Sequence, residues 1–250
     1  MAVMDEFREE RQALKDASLK KKWEYFLDYY KWHVVIIAAA LCFVISMGYN
    51  ILTAKDTALF GYFLNTYADE DQKEVWLNEF GTASGIDLKE YDFMLDTSLQ
   101  YTEGGMDQNS YMTIQKIMVT MAAAEVDFLA GNAVAFDYYA DIDTFFDLRE
   151  IYTEEELKKF EDYIYYVDMD VVRERSAIVD SGQFADYVTP VYDHFAPEEM
   201  GDPTPIGICI QDSEKLKGTY FFKDGPIPLG VVVNTEHLDT VKQFIDYLFE

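Results

Sequence analysis

Between Trp32 and Ala54 the chain carries no Asp, Glu, Lys or Arg, although 27% of its residues are charged. Residues 32–52, WHVVIIAAALCFVISMGYNIL, would reach about 30 Å as a helix, the thickness of a bilayer's hydrocarbon core. The pattern predicts one membrane-spanning helix over 32–54, which divides the chain into a tail at 1–31 and a water-soluble portion at 55–250. A cleaved secretory signal fits less well: roughly thirty residues precede the run, and no small-x-small site follows at Met47–Thr53. A buried core helix rarely runs so long without a charge. Lys20, Lys21, Lys22 and Lys31 lie just before the run and only Lys55 just after it, which predicts a cytoplasmic N-terminus and an extracellular C-terminal domain. Trp23, Tyr25, Phe26, Tyr29, Tyr30 and Trp32 suit the inner headgroup region, where amphipathic rings settle.

Charge separates the two water-exposed parts. Residues 1–31 hold seven basic and seven acidic side chains, leaving thirteen basic against forty acidic for the rest and the whole net charge of −27. Such a surface repels nucleic acid and anionic headgroups and favours cationic or neutral partners; an acidic coat also serves solubility alone. Cys42 falls in the apolar run and Cys209 in the outer portion, so the two cannot pair within one chain. The outer domain is therefore expected to stand on its core, a usage that fits a bacterial envelope protein.

Residues 1–31 read as a charged, interfacial helix. After Lys55, strands are expected at Ala58–Leu64, Tyr91–Leu95 and Val126–Ala130. Between them, Asp69 with Gln72 caps a helix through Gly81, and Asn109 or Ser110 opens one whose buried face is Tyr111, Ile114, Ile117, Met118 and Met121. AVAFDYYA, 133–140, is a short helix. This alternation predicts a parallel, three-layer α/β sheet. Thr153 and Glu156 form a capping box, Tyr163–Val167 is β-rich, and 171–204 reads as loops with short helices. Strands at Ile206–Ile210, Thr219–Phe222 and Leu229–Val233 precede a last helix with the stripe Leu238, Val241, Phe244, Ile245 and Leu248, capped by Asn234 or Thr235.

Two stretches, AAAEVDFLAGNAVAFDYYADIDTFFDLREI (122–151) and IPLGVVVNTEHLDTVKQFIDYL (227–248), resemble segments of extracellular solute-binding proteins of the type 2 periplasmic-binding-protein fold. With the apolar helix, the chain looks like single-pass membrane proteins of Gram-positive bacteria whose outer part is a reduced solute-binding-like domain. The resemblance implies a periplasmic-binding-protein-like three-layer α/β domain with a reduced second lobe, an irregular insertion at about 150–205, and a spanning helix as tether.

In an open parallel sheet, ligands bind beyond the carboxyl ends of the strands. The candidate ligand-binding residues are therefore Asn65, Thr66, Thr97, Ser98, Gly131, Asn132 and Asn234, each in a loop leading to a helix N-terminus, where such residues also serve as plain caps. Asp137, Asp141, Asp143 and Asp147 lack EF-hand spacing and read as a solvated acidic face rather than a calcium site. Tyr138 and Tyr139 read as core. No G-x-S-x-G, P-loop or H-E-x-x-H is present, His194 and His237 are the outer domain's histidines, and no residue has an evident catalytic partner, so no enzyme, cofactor or metal is expected. The reading is a non-catalytic, membrane-anchored binding protein for a small solute or another envelope protein; the alternative is an envelope scaffold that has lost its cleft.

Overall fold

The computed structural model describes residues 18–102, 104, 107–181, 190–223 and 225–250. Residues 1–17 of the expected tail and 182–189 of the expected insertion lie outside the described residues. The chain divides into two compact units, 1–54 and 55–250.

In the first unit, helix α1 (Leu19–Thr53) runs without a break through the uncharged stretch. Its part Tyr30–Thr53 is long and apolar enough to cross a membrane and none of it is buried in protein; a signal sequence passes the same test of length and composition. Trp23 stacks on Phe26 at 5.6 Å and Phe26 on Tyr30 at 5.7 Å, as spacings of three and four on a helix dictate.

Among the described residues the second unit holds eight strands and seven α-helices: β1 (Asp56–Phe63), β2 (Tyr67–Ala68), α2 (Glu70–Ser84), β3 (Tyr91–Asp96), α3 (Gln108–Ala122), β4 (Phe128–Ala130), α4 (Ala133–Ala140), α5 (Leu148–Ile151), α6 (Glu154–Leu157), β5 (Ile164–Asp168), α7 (Met169–Ser181), β6 (Pro203–Cys209), β7 (Tyr220–Phe221), β8 (Pro228–Val231) and α8 (Leu238–Leu248). Six strands form one sheet in the order β3-β1-β4-β8-β6-β5, and β2 pairs with β7. Strand β1 is buried on both faces, which its apolar run ALFGYF requires. Leu59 and Phe63 join one core with Trp76 and Phe80 of α2 and Val241, Phe244 and Ile245 of α8. Phe60, Tyr62 and Leu64 join the other, with Ile117 of α3, Phe136 and Tyr139 of α4 and Val172 of α7. Helices on both faces of one sheet make the three layers. A Cβ on Gly61 would fall 2.2 Å from the Phe128 ring, so the central ladder closes only around a glycine there.

The expected parallel arrangement holds for the first three strands of the sheet and not for all of those that follow. β1 pairs parallel with β3 and β4, but β8 is antiparallel to both β4 and β6, and β5 is antiparallel to β6. Four strands thus run one way, and β5 and β8 the other. Apolar periodicity marks a strand but not its direction. The β-rich run expected at Tyr163–Val167 is β5, an edge strand of the main sheet, and the span read as loops with short helices opens inside the thirteen-residue α7.

Caps decide the helix ends. The Asp69 carboxylate accepts from the N–H groups of Asp71 and Gln72, and α2 ends on Gly85 in the left-handed region. Helix α3 starts earlier than expected, capped by Asp107, and its buried face is turned by one residue. Ser110 and Thr113 point inward, where the Ser110 hydroxyl accepts from Thr102 N–H at 2.9 Å and the Thr113 hydroxyl donates to Gln100 C=O at 2.8 Å. Tyr111 and Met118, expected inside, are exposed. The capping box at Thr153–Glu156 is present. Helix α8 buries its expected stripe, but neither Asn234 nor Thr235 caps it; both side chains are bonded elsewhere.

Candidate functional site

Strands β1, β3 and β4 end along one edge of the sheet, where most of the predicted ligand-binding residues lie. Asn65 adopts a left-handed conformation, φ 56°, directly after β1. Its side-chain amide donates to Tyr101 C=O and to Asn132 Oδ1, both at 2.8 Å, and its Oδ1 accepts from Tyr101 N–H at 2.8 Å. The Thr66 hydroxyl donates to Leu64 C=O at 3.0 Å. Gly131 lets β4 close on β1, since a Cβ there would lie 2.9 Å from Leu64 Cβ. Ser98 donates twice to Asp96, which also accepts from Lys116 Nζ at 2.7 Å, and Thr97 is half-buried between them. The side chains of Asn65, Thr66 and Ser98 and the Oδ1 of Asn132 are thus bonded to neighbouring protein, stitching the loops together.

Asn234 is at the other edge. Because β8 is antiparallel to β4, its C-terminal end lies beside the beginning of β4, and the Asn234 amide donates to Met121 C=O at 2.6 Å. The expectation that Asn234 shares one cleft with Asn65 and Asn132 is corrected by that reversal. The same edge holds a cluster the sequence did not suggest. Asp127, fully buried, accepts from Phe60 N–H at 2.7 Å and the Thr235 hydroxyl at 2.5 Å, and lies 3.1 and 3.3 Å from His237 Nδ1. A charged residue within the strand-like AEVDFLA was the available signal.

A third place collects polar groups that are not saturated. The crevice, about 340 Å3, opens between the end of α4, β5, α7 and the segment after residue 189; Asp137, Asp141, Val171, Arg175, Tyr192 and His194 are among its lining. Helical spacing sets Asp137 and Asp141 one turn apart on the same side of α4. Asp141 is paired with Arg175. Asp137 Oδ1 accepts from the Tyr165 hydroxyl at 3.0 Å, while its Oδ2 lies 3.7 Å from His194 Nε2, too far for a hydrogen bond. Burial pushes the Asp137 carboxyl up, against the pull of His194, the Tyr165 hydroxyl and Arg175. His194 stacks on the Tyr165 ring at 4.1 Å and lies 4.8 Å from the Tyr192 ring. Its Nδ1 is 2.8 Å from Tyr166 C=O. A carbonyl only accepts, so Nδ1 carries the proton and, in the neutral ring, Nε2 presents a lone pair to the crevice.

Asp168 ends β5 nearby with the opposite character. Burial raises its carboxyl, but the N–H groups of Gly201, Asp202, Asp170 and Val171 outweigh that and hold it below the usual carboxylate range. The remaining aspartates of the acidic run are dispersed: Asp147 caps α5 and pairs with Arg149, and Asp143 adopts φ 53°. Among the described residues no three His, Cys, Asp or Glu side chains converge as a metal site would require. Of the crevice residues, Asp137 and Asp141 were singled out in the sequence only as a solvated acidic face. His194, Tyr192 and Arg175 could not be placed beside them, because they come from the span without a clear periodic pattern.

No family model matches the chain, and no curated protein matches it. Among solved structures it is similar to the periplasmic binding protein P5PA, at 11% identity over 78% of this chain and 80% of that one, with a TM-score of 0.32. So loose an overlap leaves the identity of any ligand to the chemistry of the site.

Proposed function

We propose that this chain is a membrane-anchored, extracytoplasmic binding protein, non-catalytic, that holds a small solute in the crevice beside α4. In this reading α1 spans the bilayer with its N-terminus in the cytoplasm, and residues 55–250 stand outside and bind no nucleic acid. The supporting observation is the Asp137–His194 crevice, where an accessible carboxylate oxygen and a ring nitrogen face each other without a bond. Small-molecule sites are concave, with a few convergent polar groups on partly apolar walls, and here Ala140, Val167 and Val171 supply the walls. The lysine asymmetry across α1 and the acidic surface fit the same placement.

The test is a thermal-shift screen of the detergent-solubilised full chain against sugars, amino acids, short peptides, amines and divalent cations. A ligand at a hundred times its Kd stabilises the native state by about 2.7 kcal/mol, which a melting curve resolves. At least one probe is expected to raise Tm, and Val171→Trp, which fills the crevice, is expected to abolish that shift. No shift across the panel would overturn the reading. Protease added to intact cells is expected to digest the outer domain; an untouched C-terminus would refute the topology.

One observation favours the scaffold alternative. Tyr111, Met112, Met118 and Val119 form an exposed apolar stripe along α3, a surface suited to another envelope protein.

A further inference from the structure

We propose that the solute held in this crevice is an organic cation bearing a primary ammonium group, clasped between Asp137 Oδ2 and His194 Nε2. The inference rests on the reading of the crevice as a ligand site, and it follows from what the surrounding protein leaves unsatisfied. Asp137 Oδ1 is occupied by the Tyr165 hydroxyl, so Oδ2 is the oxygen without a hydrogen bond among the described residues. His194 Nδ1 is committed to Tyr166 C=O, so the neutral ring offers only an acceptor at Nε2. Two acceptors therefore face each other at 3.7 Å, and a guest with hydrogen-bond donors satisfies both. An ammonium nitrogen placed about 2.8 Å from each would see them at an angle of about 83°, within reach of two of its three hydrogens.

Charge points the same way. Among the described lining residues Arg175 is engaged by Asp141, which leaves the Asp137 carboxyl without a cationic partner when the His194 ring is neutral. A monocation neutralises it, while an anion would add to the repulsion of a chain that already carries −27. The rings of Tyr192 and His194 and the side chains of Val167 and Val171 offer apolar surface to the carbon skeleton, and about 340 Å3 suits a compact one. A divalent metal ion fits less well: calcium takes six to eight oxygens, and no group of three metal-ligating side chains converges here among the described residues.

The experiment compares four probes of similar skeleton on the full chain in detergent, by calorimetry and melting temperature: n-butylamine, its N,N,N-trimethyl analogue, n-butanol and butyrate. Butylamine is expected to bind. The trimethyl analogue keeps the charge but has no N–H, and is expected to bind at least tenfold more weakly. Asp137→Asn is expected to weaken butylamine at least tenfold, and Val171→Trp to abolish it. Equal binding of the two cations would overturn the donor-based clasp without needing any variant. Preferential binding of butanol or butyrate, lost in Val171→Trp, would leave the crevice as the ligand site and overturn the ammonium assignment. If none of the four binds but another solute does in a manner lost in Val171→Trp, the ammonium assignment again falls alone; if no solute of the broader screen binds, both readings fall together.

Discussion

Residues 55–250 contain two facing pairs of histidine and aspartate, and they are built in opposite ways. At one edge of the sheet Asp127 is sealed from solvent and saturated: Phe60 N–H, the Thr235 hydroxyl and His237 Nδ1 all point at it. Beside α4, Asp137 and His194 line an open crevice and are not bonded to each other. The first arrangement has the form of a structural lock, because a buried carboxylate persists only where donors compensate its lost hydration. The second leaves interaction capacity unused, and unused capacity at an accessible surface is what a ligand exploits. Residue type alone does not separate the two pairs; the number of partners already supplied by the protein does.

The comparison breaks first at Asp127. Asp127→Ala removes a carboxylate that ties β4 to β1 and to the turn before α8, leaving a buried Phe60 N–H without its partner. The expected loss is about 4 kcal/mol of unfolding free energy, measured by guanidinium denaturation of the detergent-solubilised full chain. A loss below about 1 kcal/mol would mean that the lock is not one.

A somewhat smaller loss, about 2–3 kcal/mol, is expected for Asn65→Ala at the carboxyl edge of the strands. It strands the Tyr101 N–H and the Asn132 carbonyl and places alanine at φ 56°, a conformation that asparagine tolerates better. Asn65→Gly keeps the backbone comfortable and loses only the hydrogen bonds, so the difference between the two variants isolates the strain. Ligand binding in the crevice is expected to survive the glycine variant, since Asn65 does not line it.

These positions show what the sequence could convey. The uncharged run, the strand and helix identities of β1, β3, α2, α4 and α8, and the Thr153 capping box follow from local rules, in which spacing and neighbouring polar side chains suffice. Strand direction does not, and one reversal at β8 sent Asn234 to the far edge from Asn65. Loop polarity is ambiguous in the same way. Asn65 and Asn132 look like ligand-binding residues until each is seen to be the other's partner. The crevice was hidden for a third reason: Asp137 and His194 are 57 residues apart, and nothing periodic in the intervening chain shows that α4 and the stretch after residue 189 meet.

Tyr165→Phe sharpens the comparison on the crevice side. It removes one hydroxyl from Asp137 Oδ1 and keeps the ring stacked on His194, so the expected destabilisation is about 1 kcal/mol. With both carboxylate oxygens free, a cationic guest loses its fixed choice of Oδ2. The expected result in the butylamine titration is a changed affinity with little change in Tm of the free protein. A collapse of the fold on losing this hydroxyl would instead make Tyr165–Asp137 a second lock.

The smallest effects are in the pH dependence, where Asp137 and Asp168 should move stability in opposite directions. Burial raises the folded-state pKa of Asp137, so its ionised form is disfavoured by folding. That penalty is absent below the unfolded value of about 3.9, grows as pH rises toward the folded pKa, and is complete above it. Asp168 is depressed by its backbone donors against the effect of burial, so its contribution is complete above about 3.9 and is lost as pH falls through its folded pKa. Melting temperatures of the parent, Asp137→Asn and Asp168→Asn chains between pH 3 and 7 separate the two. Asp137→Asn is expected to melt at or above the parent at pH 7, the gap closing as pH falls toward about 4. Asp168→Asn is expected to melt below the parent at pH 7, with the deficit shrinking only under about pH 3.9. A gap for Asp137→Asn that ignores pH would mean that folding does not disfavour its carboxylate, and the surrounding protein would then already compensate the charge that a guest is to meet.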